Sequence, residues 1–214
     1  MPKKNDIETI FHILSSEFDT NIDTELRYYN NYQLLVAIML SAQATDNSVN
    51  KITDKLFLAI KTPEDAIKLG DKKINSYIKT INYHNTKSEN IVKMSRQLID
   101  NFNSKVPDDF DDLISLSGVG RKTANLVLSI AFKQQKIAVD THVFRVANRI
   151  GLANAKNVVK TEEQLKKNIP EVFHRQINNL LIPFGRKYCK AIKPQCNDCP
   201  IAHFCKKKKS DTNG

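Results

Sequence analysis

The 214-residue chain lacks a long apolar run; its longest, Leu34 to Leu40, is seven residues. A membrane-spanning helix needs about 20 such residues, so no segment qualifies. The opening Met-Pro-Lys-Lys-Asn-Asp leads into a polar stretch with no apolar h-region, so a secretory signal is not expected. Glycine and proline are scarce, at six and seven residues, which excludes collagen-like and low-complexity chains. No cysteine precedes residue 189. Disulfide frameworks usually spread cysteines through small secreted chains, so this pattern argues against one. A soluble, basic protein of the cell interior is expected, long enough for one large domain or two small ones.

The charge that is present is mostly of one sign. Lys plus Arg number 33 against 23 Asp plus Glu, a formal net charge of +10. From Arg186 onward, eight basic residues (186, 187, 190, 193, 206, 207, 208, 209) meet only Asp198 and Asp211. More than half of the net charge therefore sits near one end. Such a field favours a polyanionic partner, nucleic acid or an anionic membrane surface. Lys206 to Lys209 taken alone read as a solvated tail.

All four cysteines fall within Cys189–Cys205, spaced C-x6-C-x2-C-x5-C. Four thiols crowded together in a reducing compartment read as one metal site. Zinc usually takes two short Cys-x-x-Cys pairs separated by a longer span, whereas here one pair, Cys196 and Cys199, is flanked by single cysteines. The compact loop suits the four corners of a [4Fe–4S] cluster, although its spacing is not the ferredoxin run. Spacing alone ranks a cluster first, zinc second and disulfides well behind.

Periodicity is helical nearly everywhere, so the fold class is all-α. Val49, Ile52, Leu56 and Ile60 come after a Thr45-Asp46 start at helical spacing. Thr62-Pro63-Glu64-Asp65 is a second start, with a hydroxyl cap, Pro at the first helical position and acids in the first turn. Ile91, Leu98 and Phe102 mark another helix, ending before Pro107; Val143 to Ile150 mark the next, closed by Gly151. Thr161-x-x-Gln164 resembles a capping box, and Pro170 ends the helix it would open. The run 34–40 suits a buried strand or a core helix, and its helical neighbours favour the helix. Lys136 to Val139 is too short to found a sheet.

Two of the six glycines fall within Leu116-Ser117-Gly118-Val119-Gly120-Arg121-Lys122-Thr123-Ala124. A short helix over Asp108–Ser115 precedes this turn, and an apolar helix over Thr123–Phe132 comes after it. Glycines there leave bare N–H groups at the second helix's N-terminus, which together with the dipole make a phosphate seat. An ordinary interhelical turn with a glycine cap is the plainer alternative. Lys122 sits in the first turn of the second helix. Arg121 and the positive end of the dipole both oppose a protonated amine there, a condition that suits a nucleophilic or Schiff-base lysine. A phosphate-contacting lysine is the alternative. Asp140 precedes Thr141-His142-Val143-Phe144 as an N-cap candidate whose carboxylate can also face a developing positive charge. Arg145 reads as a phosphate or salt-bridge residue, and His142 has no assigned role.

Four motifs occur together and in order: Ser41-Ala42-Gln43-Ala44-Thr45-Asp46, Gly118-Val119-Gly120-Arg121-Lys122-Thr123-Ala124-Asn125, Val139-Asp140-Thr141-His142-Val143-Phe144-Arg145-Val146, and the four-cysteine loop. The combination resembles the endonuclease III family of helix-hairpin-helix DNA glycosylases, over about residues 7–206. The resemblance implies two helical domains with a DNA-binding cleft between them. One is a six-helix barrel at 24–134 carrying the hairpin. The other joins 1–23 to 135–214 and holds a [4Fe–4S] cluster on Cys189, Cys196, Cys199 and Cys205.

The implied activity is removal of oxidised or damaged pyrimidines from duplex DNA, followed by β-elimination at the abasic site. Lys122 would attack C1′ and form a Schiff base, and Asp140 would stabilise the cationic sugar. Gly118, Val119 and Gly120 would contact a phosphate through their backbone, with a monovalent cation allowed at the hairpin. Gln43 would fill the gap left by the extruded nucleotide and Tyr83 would be a second wedge. Arg121, Arg145, Lys190 and Lys193 complete the implied DNA contacts. Relatives that act only as glycosylases lack the lysine found here at 122, so its presence implies a bifunctional enzyme. A cytoplasmic monomer associated with the nucleoid is expected, with no membrane partner.

Three positions depart from the family pattern. Ser117 stands where Pro is usual, Asn82-Tyr83-His84-Asn85 replaces a stretch that more often begins with Gly, and Gln195 replaces a basic residue. Two rival readings remain: a non-catalytic DNA-binding protein with a zinc-stabilised tail, and an RNA-binding protein resting on basicity alone.

Overall fold

The computed structural model describes residues 2–19 and 24–206. Lys207, Lys208 and Lys209 of the basic tail lie outside the described residues. Within them the chain forms eleven α-helices and two short 3-10 segments, with no strand. No helix among the described residues is long and apolar enough to cross a membrane. The chain divides into two compact units, Thr24–Lys133 and Met1–Asp23 with Gln134–Gly214.

The first unit carries α2 (Asn31–Ser41), α3 (Asp46–Ala59), α4 (Pro63–Leu69), α5 (Asp71–Ile78), α6 (His84–Phe102), α7 (Phe110–Ser115) and α8 (Arg121–Ala131). Its centre is α2, where every residue from Tyr32 to Leu40 is buried. The seven-residue run is therefore the core helix that its neighbours suggested. Leu34, Leu35 and Leu40 are fully enclosed, each stabilising the unit by roughly 1.5–3 kcal/mol. Gln33 is buried among them because its bonds are met: Nε2 donates to the carbonyls of Phe57 and Ile60, both at 3.1 Å, and Oε1 accepts from Tyr29 N. The starts agree with the sequence signals. Thr45 caps α3, and Thr62 caps α4 in a capping box with Asp65 behind Pro63.

The second unit carries α1 (Lys4–Glu17), α9 (Thr141–Ile150), α10 (Val158–Asn168) and α11 (Gln176–Lys187). Ile7, Phe11 and Leu14 of α1 pack with Val143, Val146 and Ile150 of α9 and with Leu180, Leu181 and Phe184 of α11 in one core. Glu17 fastens the end of α1 to the end of α11, accepting from Lys187 Nζ at 2.6 Å and Tyr188 Oη at 2.5 Å.

One helix start differs from expectation. Asn157, not Thr161, caps α10 by accepting from Lys160 N at 2.9 Å. Thr161 is buried inside the helix and donates its hydroxyl back to Asn157 O. Gln164 clasps the backbone of Asn154 instead of closing a box. Asparagine is the better cap of the two, and the core claims the Thr161 side chain.

Candidate functional site

The hairpin is built from α7, the turn 116–120 and α8. Asp109 Oδ1 caps α7 by accepting from Asp111 N and Asp112 N. Gln97 of α6 then grips the turn on both sides: Ser117 N donates to its Oε1 at 2.7 Å, and its Nε2 donates to Ser115 O at 3.1 Å. Gly118 has φ +78, and a Cβ there would lie 2.7 Å from Met39 Cε and 2.9 Å from Asn90 Cβ. Only glycine suits that conformation and that approach. Gly120 is different. Its φ of −92 suits any residue, and a Cβ there would meet nothing within 4 Å. Nothing inside the protein demands glycine at 120.

Gly120, the N-cap of α8, makes no side-chain cap bond, and the first turn carries the positive end of the helix dipole, which favours an anion. The Val119 N–H donates to Leu116 O at 3.1 Å and its side chain is buried. Arg121 and Lys122 are both exposed. The Arg121 guanidinium lies 4.8 Å from the centre of the Phe110 ring, bracing α7 against α8.

Two loops of the same unit carry Gln43 and Tyr83. Both residues are exposed and both have φ +59, in the left-handed region. Such a backbone costs a bulky residue about 1–3 kcal/mol and persists only where surrounding structure enforces it. The enforcement is visible. Asn82 Nδ2 donates to Gln43 O at 3.2 Å. The Lys87 ammonium, buried behind this loop, donates to Leu40 O at 2.8 Å and Ala42 O at 2.7 Å. Burial pushes the Lys87 pKa down. Lys87 carries no motif in the sequence, although it lies four residues before Ile91 on the buried stripe of α6, where a lysine is out of place.

In the other unit, Asp140 caps α9, its Oδ1 accepting from Val143 N at 2.8 Å. Asn178 of α11 steadies the stretch of chain before it, accepting from Ala138 N at 3.2 Å and donating to Ala138 O at 2.7 Å. Arg145, read from the sequence as a phosphate or salt-bridge residue, bonds within its own unit. Its Nε donates to Cys189 O at 3.0 Å, and Nη2 reaches Gly185 O at 3.0 Å and His142 Nδ1 at 3.1 Å. The signal was hidden, because the partners lie some 40 residues further along the chain.

Arg149, one turn further on α9, donates to Lys190 O at 2.6 Å and Ala191 O at 2.9 Å, and lies 3.7 Å from Cys189 Sγ. Two arginines thus shape the start of the cysteine loop. Cys189, Cys196, Cys199 and Cys205 line one cavity with Ile150, Phe184 and Tyr188. None is in a disulfide. Burial, reinforced by the neighbouring sulfurs, pushes the Cys199 thiol up. Four thiolates in this apolar wall need compensating positive charge, which iron supplies. Among the described residues no group of three or more His, Cys, Asp or Glu side chains is arranged to hold a single metal ion. Lys190, Ile192 and Lys193 are exposed at the tip of the loop.

Comparison with known proteins agrees with this arrangement. Residues 36–171 match the family model of the HhH-GPD superfamily base excision DNA repair protein. Residues 189–205 match the iron–sulfur binding domain of endonuclease III. The chain is 50% identical to endonuclease III of Haemophilus influenzae over 185 residues, covering 86% of this chain and 88% of that protein. Among solved structures, it resembles a trapped endonuclease III–DNA covalent intermediate, with a TM-score of 0.89 and 40% identity over 99% of this chain and 100% of that one. A non-covalent endonuclease III–DNA complex matches with a TM-score of 0.88 and 39% identity, over the whole of both chains.

Proposed function

Because the chain belongs to the HhH-GPD superfamily of base excision DNA repair proteins, and within it to the endonuclease III family, we propose that Lys122 is its nucleophile and Asp140 its electrostatic partner. The protein is a bifunctional DNA N-glycosylase and abasic-site lyase with a [4Fe–4S] cluster. Its substrate is duplex DNA in which a damaged pyrimidine, or the sugar left after base loss, has been extruded. Damaged bases unstack at lower cost than sound ones, so extrusion itself selects.

Lys122 Nζ attacks C1′ as the N-glycosidic bond breaks and the base departs with the bonding pair. Loss of a proton from nitrogen and opening of the sugar ring give an imine. The imine acidifies C2′–H; removal of that proton breaks the C3′–O bond and releases the 3′ phosphate. Water then hydrolyses the imine and restores the lysine. Asp140 faces the cationic sugar as the base leaves. The Val143 N–H holds its carboxylate, and the Asn178 clamp on Ala138 steadies the chain that leads to it. The first-turn N–H groups of α8, with Gly118 and Gly120, seat a phosphate of the same strand.

Cys189, Cys196, Cys199 and Cys205 would hold the cluster, whose iron offsets the thiolate charge and cross-links the loop. Lys190 and Lys193 then meet phosphates from a fixed framework. The protein acts as a monomer in the cytoplasm, on chromosomal DNA.

The observation that supports this reading best is the exposed Lys122 in the first turn of α8, two residues after a glycine at which an added Cβ would meet nothing within 4 Å. Turnover on duplexes each carrying one modified base tests it. Oxidised pyrimidines are expected to be released with strand nicking, and sound duplex left intact. Asp140→Asn keeps a good cap but removes the charge, so base release is expected to slow by about 10²–10³-fold without loss of fold. Release confined to purines would contradict the reading.

A further inference from the structure

Each carbonyl oxygen from Leu40 to Gln43, where α2 ends and the Gln43 loop begins, has a partner. Leu40 O and Ala42 O accept from Lys87 Nζ, Ser41 O accepts from Ala44 N at 3.1 Å, and Gln43 O accepts from Asn82 Nδ2. Three of the four bonds come from α6 or the loop that leads into it. A helix C-terminus leaves carbonyls unsatisfied and carries the negative end of the dipole. A buried ammonium answers both needs at once, and its burial leaves it no easy alternative partner in water. Tyr83 is the N-cap of the same helix, and its carbonyl accepts from Lys87 N at 3.0 Å. Farther along it, Asn90 abuts Gly118 and Gln97 grips Ser117 and Ser115. The Gln43 loop, the Tyr83 loop and the hairpin turn are thus all indexed to one rigid element.

We propose that Lys87 is a positioning residue: by tying the end of α2 to α6 it holds Gln43 in its left-handed conformation at a fixed offset from Tyr83, ready to occupy the duplex as a nucleotide leaves. This rests on the reading of the protein as a glycosylase and lyase. Lys87 touches neither the sugar nor the base and acts only through Gln43. Preorganisation of this kind matters where a duplex must be opened, and not where the target is already unpaired.

The test compares one abasic sugar placed in a duplex and in a single strand, each trapped with borohydride, for wild type, Lys87→Met, Lys87→Arg and Asn82→Ala. Lys87→Met is expected to lower the trapping rate on the duplex by about tenfold or more. On the single strand its rate is expected to stay within about twofold of wild type, since no wedge is needed there. Lys87→Arg, which keeps charge and donors, is expected to recover much of the duplex rate. Asn82 is exposed, so Asn82→Ala keeps the test valid if Lys87→Met does not fold; a smaller, duplex-only loss is expected. The fluorescence rise of a 2-aminopurine beside the abasic site, which reports unstacking, is expected to fall with the duplex rate.

Parallel losses on both substrates, or no loss on the duplex, would overturn the proposal while leaving the enzyme's activity in place. Failure of the wild type to trap on either substrate would remove the functional reading itself.

Discussion

Arg145 Nε donates to the carbonyl oxygen of Cys189 at 3.0 Å, so the helix that Asp140 begins also holds the first residue of the cysteine loop. The shape of that loop and the footing of the carboxylate share one element, α9. Gly185 permits this passage: a Cβ there would come within 3.1 Å of Arg145 Nη2.

Arg145→Met leaves the Cys189 and Gly185 carbonyls without their charged donor. Hydrogen bonds to charged groups contribute about 1.5–3 kcal/mol each, so thermal unfolding is expected to shift downward by several degrees. Iron release to a chelator, seen as bleaching of the brown absorption, is expected to accelerate. An unchanged release rate would show that the loop is held by the cluster alone.

The two hairpin glycines separate folding from binding. Gly118→Ala forces a left-handed alanine against Met39 and Asn90, and is expected to destabilise the protein by about 2–4 kcal/mol. Gly120→Ala meets no protein atom and is expected to leave stability within about 0.5 kcal/mol. Its added methyl obstructs the backbone surface, so duplex affinity is expected to fall by about tenfold, or ~1.4 kcal/mol. Chemical denaturation and a duplex titration at constant salt read the two effects.

Acid weakens the join between α1 and α11. Burial opposes the charge on Glu17, but the hydrogen bonds from Lys187 and Tyr188 prevail and hold its carboxyl below the ordinary 4.5. A carboxylate depressed in the folded state stabilises it fully above the unfolded value and loses that contribution as pH falls through the folded one. Stability is therefore expected to decline from about pH 4.5 downward. Glu17→Gln is expected to lose stability at neutral pH and to show a shallower acid limb in thermal melts across that range. A limb as steep as wild type would place the acid sensitivity elsewhere.

Much of this architecture was legible in the residue order, because caps and apolar stripes act locally. Thr45, Thr62 with Pro63, and Asp140 each begin the helix their chemistry suggests. The cysteine spacing was equally local, and its rank order of metals agrees with the iron–sulfur domain matched at 189–205. What escaped was set by distant partners. Arg145 looks like a surface cation until Cys189 is folded against it. Lys87 looks like one among many lysines until the end of α2 arrives beside it. Thr161 carries a cap signature but lies on the core face, where burial decides. Composition also gives no sign that residues before 24 join those after 133, since that depends on how α1 meets α9 and α11.

The amine of Lys122 is the centre of the account, and covalent capture tests it most directly. Wild-type protein, mixed with a duplex carrying an oxidised pyrimidine and reduced with borohydride, is expected to yield a protein–DNA adduct. Peptide mapping is expected to place the link on Lys122, and Lys122→Ala is expected to yield none while still binding the duplex. An adduct of undiminished yield in Lys122→Ala, or one mapped to another residue, would contradict the account.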